Sequence, residues 1–312
     1  MKGIELSREF YELYKEQLFS NGLYFMREYT AAGLVGEGSE CYGYDDVLSQ
    51  DHDFGPDFCI WIPEMIYREH GKAFEQAYHS LPKIYRGYLR EDSKQMLARR
   101  GIMTIEGFYQ KYTGIPHEPV EARQWFQIPQ SFLAVATNGV VFEDPYGEFT
   151  QRRNRLLAYY PEDVIRKKLA AKTVVMAQAG QYNYVRCCSR GEWESAYLAG
   201  SEFVKAALSV IYLLNRKYMP FYKWAFRGAE SLAELGHAVV DLKEFIHLED
   251  KSKNAVQKKN LIEDICNIVA CELRKKGYST STSDFLEPHG NSIMNGIQDA
   301  YLRNMHVLMD SD

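Results

Sequence analysis

The chain has 312 residues and a mass of 36.1 kDa, too long for one small domain and suited to two of ordinary size. A hydrophobic fraction of 46% and a charged fraction of 25% exclude disordered, collagen-like and mini-protein classes. Lys and Arg number 37 against 42 Asp and Glu, so the net charge is −5; a nucleic-acid-coating protein would be basic, and nucleic acid is disfavoured as a partner. There are 23 tyrosines, each pairing apolar area with a hydroxyl, which suits clefts and half-wet helix packing.

Met1 to Phe10 carries charge throughout and is not expected to act as a secretory signal. The most apolar stretch, Phe203 to Leu214, is short and contains Lys205, so no membrane span is expected. Six cysteines with no CxxC pair, and eight histidines with no HxxxH or HExxH spacing, predict reduced thiols in a cytoplasmic protein and give no zinc site.

In chain order, Ser7 to Leu18 has helical spacing, with Phe10, Leu13, Tyr14 and Leu18 on one face and Ser7 as N-cap. Tyr29 to Val35 reads as a strand ending at a glycine cluster. Asp51 to Ile62 reads as a second strand, Pro63 to Tyr78 as a helix and Gly101 to Ile105 as a third strand. Ser131 to Phe142 is expected to hold one or two more. After residue 150 the pattern turns helical. Pro161 with Glu162 and Asp163 marks a helix start. Phe203, Ala207, Val210, Ile211 and Leu214 form one apolar stripe, and Leu261, Ile262, Ile265, Ile268, Val269 and Leu273 another. Glu249 to Lys259 reads as a loop or helix start, and Ser279 to Ser283 as a turn. The expected fold class is α+β: a mixed-sheet α/β domain over residues 1–150, then an all-α helical bundle over 151–312.

The segment that carries chemistry is LVGEGSECYGYDDVLSQDHDFGPDFCIWI, residues 34–62. The turn at Gly36-Glu37-Gly38-Ser39 lets the backbone approach a ligand, and its amides with the Ser39 hydroxyl suit phosphate oxygens. On a strand, Asp51 and Asp53 share a face while His52 points away as a core histidine. Two adjacent carboxylates repel, and a divalent cation relieves that repulsion; Mg²⁺ completed by substrate phosphates fits the oxygen ligands. Asp45 and Asp46 read as turn caps, and Arg152, Arg153 and Arg155 as a solvated helix start. In the helical half, Asn183, Arg186, Arg190 and Glu194 fall on one helix face, either a solvated stripe or a triphosphate contact through the two arginines.

The order of strand, Gly-Ser turn, linker and DxD resembles the polymerase-beta-like nucleotidyltransferase superfamily. A closer resemblance, to an uncharacterised bacterial family catalogued as domain of unknown function 4037, runs through GEGSECYGYDD, SQDHDFGP, TNGVVFEDPYGEF, LLAYYPEDV and LLNRKYMPFYKWAFR. The resemblance implies that Gly38 and Ser39 bind nucleotide phosphates and that Asp51 and Asp53 bind metal. It also implies a helical domain closing over the nucleotide, with a basic residue, here Lys223, reaching the phosphates. The alternative for Lys223 is a side chain lying over an aromatic core. A third carboxylate would complete a two-metal site. Glu106 is the first candidate, as the end of a strand sharing a face with Ile102 and Thr104; Glu143 and Asp144 are the second. The expected activity is Mg²⁺-dependent transfer of a nucleoside monophosphate, AMP from ATP being the favoured case, to an acceptor hydroxyl. A catalytically degenerate nucleotide-binding module, regulatory or of toxin–antitoxin type, is the alternative.

Overall fold

Helix α1 spans Gly3–Leu18, starting four residues before the expected Ser7, because the Glu5 carboxylate accepts from the Lys2 amide at 3.2 Å and closes the first turn. Ser7 therefore lies inside the helix, and its hydroxyl donates to the Asp57 carbonyl at 2.8 Å. Tyr24–Tyr29 forms a 3₁₀ turn, so the following strand β1 is confined to Ala31–Leu34. In this computed structural model, residues 1–50, 54–90 and 99–312 are described. They divide into two units, 1–118 with 132–158 and 119–131 with 159–312. The expected boundary at 150 falls inside a helix, Glu148–Leu157, that stays with the first unit.

In the first unit β1, β2 (Cys59–Ile62), β5 (Gly101–Thr104) and β6 (Val140–Glu143) form a mixed sheet in the order β5-β2-β1-β6; β3 (Ile84–Tyr85) and β4 (Tyr88–Leu89) make a separate hairpin. β1 runs antiparallel to both its neighbours, and β2 runs parallel to β5. The expected strand from Asp51 shrinks to four residues; among the described residues, 54–58 lie outside it. The stretch expected to hold one or two strands holds instead a helix, Gln130–Thr137, followed by β6.

The four β2 residues are buried on both faces, so they show no alternation. On one face Ala32, Ile60 and Ile62 pack with Phe10 and Tyr11 of α1 and with Phe74 and Tyr78 of α2 (Glu64–Ser80). On the other, Trp61 stacks on Phe149 at 3.9 Å and meets Phe108 edge-on at 5.4 Å. Burying each such aromatic contributes roughly 1.5–3 kcal/mol. Gly33 is required where the ladder to β6 shifts register, since a Cβ there would lie 2.6 Å from the Val140 carbonyl oxygen.

The second unit is helical. The central pair is Glu162–Met176, capped by Pro161 with Glu162 and Asp163 in its first turn, and Trp193–Leu214, which carries the predicted Phe203-to-Leu214 stripe buried. The latter helix is longer than the apolar stretch read from sequence. By length and composition it could cross a membrane, yet 67% of its apolar window is buried inside the protein. Ala255–Lys275 supplies the second stripe; it begins inside the stretch 249–259 expected as a loop or helix start, after a 3₁₀ turn at Ser252–Asn254.

Candidate functional site

Residues 35–39 leave β1 and turn sharply, with Gly36 at φ +126° and Gly38 at φ +116°, conformations that side-chain-bearing residues avoid. A Cβ on Gly38 would also meet the Glu40 carboxylate at 2.4–2.5 Å. The turn is fastened from three directions, all within the first unit. Asn138, just before β6, accepts from the Gly36 amide through Oδ1 and donates through Nδ2 to the Gly36 carbonyl, both at 2.8 Å. Arg100, just before β5, donates to the Glu37 carbonyl at 2.8 Å and to the Glu40 carboxylate at 2.5 Å. Helix α3 (Ile105–Thr113) brings Lys111 to 2.7 Å from the Glu37 carboxylate and the Tyr112 hydroxyl to 3.3 Å, while Arg99 lies 3.0 Å away.

Burial opposes ionisation of Glu37, but Lys111 and Arg99 outweigh it and hold the carboxyl below its usual range. Burial opposes the Arg100 charge as well, but the guanidinium stays protonated, paired with the Glu40 carboxylate. Burial drives the Cys41 thiol far up, so it stays protonated beside that cation. The turn thus presents a rigid backbone in a setting rich in cations. Ser39 is buried and opens the short 3₁₀ turn Glu40–Tyr42.

The aspartate pair predicted to hold metal, Asp51 and Asp53, lies outside the described residues, as does His52. Asp45 and Asp46 are the expected caps: Asp45 is buried and accepts from the Gly3 amide at 2.9 Å, and Asp46 accepts from the Leu48 and Ser49 amides.

Glu106 is corrected in position. Thr104 caps α3 through a 2.9 Å bond from the Gly107 amide, so residue 106 belongs to a helix and has no strand face to share with Ile102 and Thr104. Its carboxylate accepts from the Glu64 amide at 3.1 Å, where α2 begins, and lies 3.8 Å from Arg152. The second candidates are also engaged. Glu143 pairs with Lys15 at 3.4 Å, and Asp144 accepts from the Gly147 and Thr150 amides at the start of helix Glu148–Leu157. Among the described residues, no group of three or more His, Cys, Asp and Glu side chains could hold a metal ion.

Arg153 is a further correction: it is half-buried rather than solvated. Its guanidinium donates to the carbonyls of Thr137, Asn138 and Gly139 at 2.7–3.2 Å. It ties down the backbone around Asn138, which in turn holds Gly36. Arg152 donates to the Pro116 carbonyl and to Glu148, and Arg155 to Glu118.

In the second unit the expected single helix face breaks. A π-helical segment, Ala177–Tyr184, runs into helix Val185–Arg190, which ends at Gly191 with φ +71°; Glu194 belongs to the next helix. Arg186 and Arg190 are exposed, and Arg186 lies over Tyr182 at 4.8 Å and donates to its hydroxyl. Lys223 is exposed in the first turn of helix Tyr222–Ala229, 5.2 Å from the Trp224 ring, so it covers no buried aromatic core. Pro220 falls in the break before this restarted helix. Tyr184 and Tyr218 are buried in packing, whereas Tyr222 is 77% exposed.

Asn138, Arg100 and Lys111 were not singled out from sequence, and Arg153 was read only as part of a solvated helix start. The Asn138-Gly139 turn and the Arg99-Arg100-Gly101 run were the available signals, but their partners lie far away in the chain.

Residues 125–225 match the family model described as "Domain of unknown function (DUF4037)". TNGVVFEDPYGEF and LLAYYPEDV fall inside the match, and LLNRKYMPFYKWAFR runs two residues past it; the Gly-Ser turn and the DxD precede it. No curated protein and no solved structure matches the chain.

Proposed function

We propose that this chain, whose residues 125–225 belong to the DUF4037 family, is a nucleotidyltransferase that moves a nucleoside monophosphate, AMP in the favoured case, from a triphosphate to an acceptor hydroxyl. The observation that carries the reading is the glycine turn at the end of the central strand β1, strained at Gly36 and Gly38 and clamped by Asn138 and Arg100. Strained backbone held this firmly suits a ligand cradle rather than a spacer loop. Arg99 and Lys111 both reach the Glu37 carboxylate beside the turn, and cations placed there suit a phosphate ligand. Asp51 and Asp53 would hold Mg²⁺, which supplies charge neutralisation at the phosphates. Lys223, Arg186 and Arg190 are exposed cations of the second unit. A cytoplasmic setting belongs to the same reading, with buried free thiols at Cys41, Cys59 and Cys266.

Incubation with α-labelled triphosphates, Mg²⁺ and a panel of hydroxyl acceptors tests this. Label transfer by the wild type should fall at least 100-fold in Asp51→Asn/Asp53→Asn. Equal transfer by both proteins would sink the proposal.

A second reading, a nucleotide-binding module without catalysis, is favoured by the engagement of Glu106, Glu143 and Asp144 in caps and ion pairs. Tight calorimetric binding of ATP that ignores Mg²⁺, with no label transfer, would select it.

A further inference from the structure

Lys167 and Lys168, on helix Glu162–Met176, are completely buried, and Lys172, one turn beyond Lys168, is 14% exposed. Burying three ammonium groups side by side is costly unless anions meet them. All three face residues 307–312. Lys167 Nζ donates to the Val307 carbonyl at 3.0 Å and the Met309 carbonyl at 2.5 Å. Lys168 Nζ donates to Asp310 Oδ1 (3.2 Å), Ser311 Oγ (2.7 Å) and Asp312 Oδ2 (3.0 Å). Lys172 Nζ lies 2.9 Å from Asp310 Oδ2 and donates to the Asp312 carbonyl at 3.2 Å. Gln130, also fully buried, donates to both Asp312 carboxylate oxygens at 2.6 and 3.1 Å.

Two properties distinguish this arrangement from a simple fastener. Lys167 has only carbonyls as partners, whereas Lys168 and Lys172 meet the side-chain carboxylates of Asp310 and Asp312. The strap is also held by its polar groups rather than by apolar burial. After the short helix Ala300–Arg303 it has no helix or strand, and Leu308 and Met309 are 37% and 53% exposed.

Asp310-Ser311-Asp312 presents two anionic groups on either side of a hydroxyl, as a diphosphate presents two across a bridging oxygen. A diphosphate would offer Lys167 an anionic oxygen in place of its two carbonyl partners. We propose that Lys167, Lys168, Lys172 and Gln130 form a binding site for a diphosphate-type anion, and that residues 310–312 fill it as an internal surrogate that the ligand displaces. The site lies entirely within the second unit and does not depend on nucleotidyl transfer by the first.

The test is calorimetry with sodium pyrophosphate in EDTA, without Mg²⁺, on the full chain. Asp310→Asn/Asp312→Asn, which removes the competing charges, should bind pyrophosphate at least tenfold more tightly than wild type. Adding Lys168→Met should weaken that binding at least tenfold. Equal affinity of wild type and the double variant, or retention of binding after Lys168→Met, overturns the proposal. Should the strap variants not fold, hydrogen exchange on the wild type decides. The amides of residues 308–312 should exchange at least fivefold faster with saturating pyrophosphate, and unchanged exchange overturns the proposal.

Discussion

Both units bury cations, and they compensate them in opposite ways. In the first, the wholly buried Arg90 meets one carboxylate, Asp57, at 2.8 Å; the Tyr78 hydroxyl donates to the same oxygen, and the Leu81 carbonyl takes another guanidinium N–H. Charge is matched one to one, and neighbouring backbone absorbs the remaining donors. In the second, three lysines face two aspartates on a largely unstructured strap. A matched pair of this kind fixes structure, because removing either member strands the other. In the lysine cluster the cations share their anions, and Lys167 has carbonyls alone as hydrogen-bond partners.

The largest expected effect comes from breaking the matched pair. Arg90→Met strands the Asp57 carboxylate and should cost about 3–5 kcal/mol in urea unfolding; a loss below about 1 kcal/mol would remove the contrast between the two units.

Next comes the pH behaviour of Lys167. Burial, reinforced by the neighbouring Lys168 charge and only partly offset by Asp310, pulls the Lys167 ammonium down to about 8. Below that value the folded and unfolded chains both carry the proton, and the folded state bears the full cost of burying it. As pH rises through about 8 the folded state releases the proton first. Stability therefore climbs until the unfolded lysine titrates near its ordinary value of about 10.4. The wild type should gain on the order of 2–3 kcal/mol over this window relative to Lys167→Met, whose stability lacks that contribution. Parallel pH curves for the two proteins would show that Lys167 is adequately paired.

Gly38→Ala sharpens the comparison inside the first unit, at a turn whose backbone conformation only glycine adopts without strain. It should cost about 1–2 kcal/mol, since φ +116° and the clamped Glu40 carboxylate leave a methyl little room. Urea unfolding reads it, and a neutral result would mean that the turn relaxes freely. The smallest effect is Lys223→Ala, exposed on its helix, which should change stability by less than about 0.5 kcal/mol. Measured triphosphate affinity should nonetheless fall severalfold if that side chain reaches phosphate.

Local rules carried much of the fold. Helical spacing located the stripes on Trp193–Leu214 and Ala255–Lys275, and Pro161 with two acids marked a real helix start. They failed where a long-range partner overrode local preference. Helix α1 begins early because Lys2 and Glu5 close a cap, freeing Ser7 to reach Asp57. Residues 131–137 are apolar enough to suggest a strand, but they form most of a helix whose last carbonyls are held by Arg153. The glycine turn was legible because its conformational demand is written in the residues themselves. Its clamps were not, because Asn138 and Arg100 lie about 100 and 60 residues from it and their role exists only once the sheet has formed. The buried lysines were invisible for a related reason: nothing in a polar helical run identifies which lysines a distant acidic segment will cover.

The division of the chain has a practical consequence. Residues 119–131 belong with the second unit although first-unit sequence lies on both sides of them, so the backbone passes between the units three times. A fragment cut at residue 159 would lose Phe126 and Gln130, which hold Ser311 and Asp312, and a fragment ending at 118 would lose Asn138 and with it the anchor of Gly36. Neither half can be obtained intact by a single scission; each would need two of its segments joined directly, 118 to 132 in one and 131 to 159 in the other.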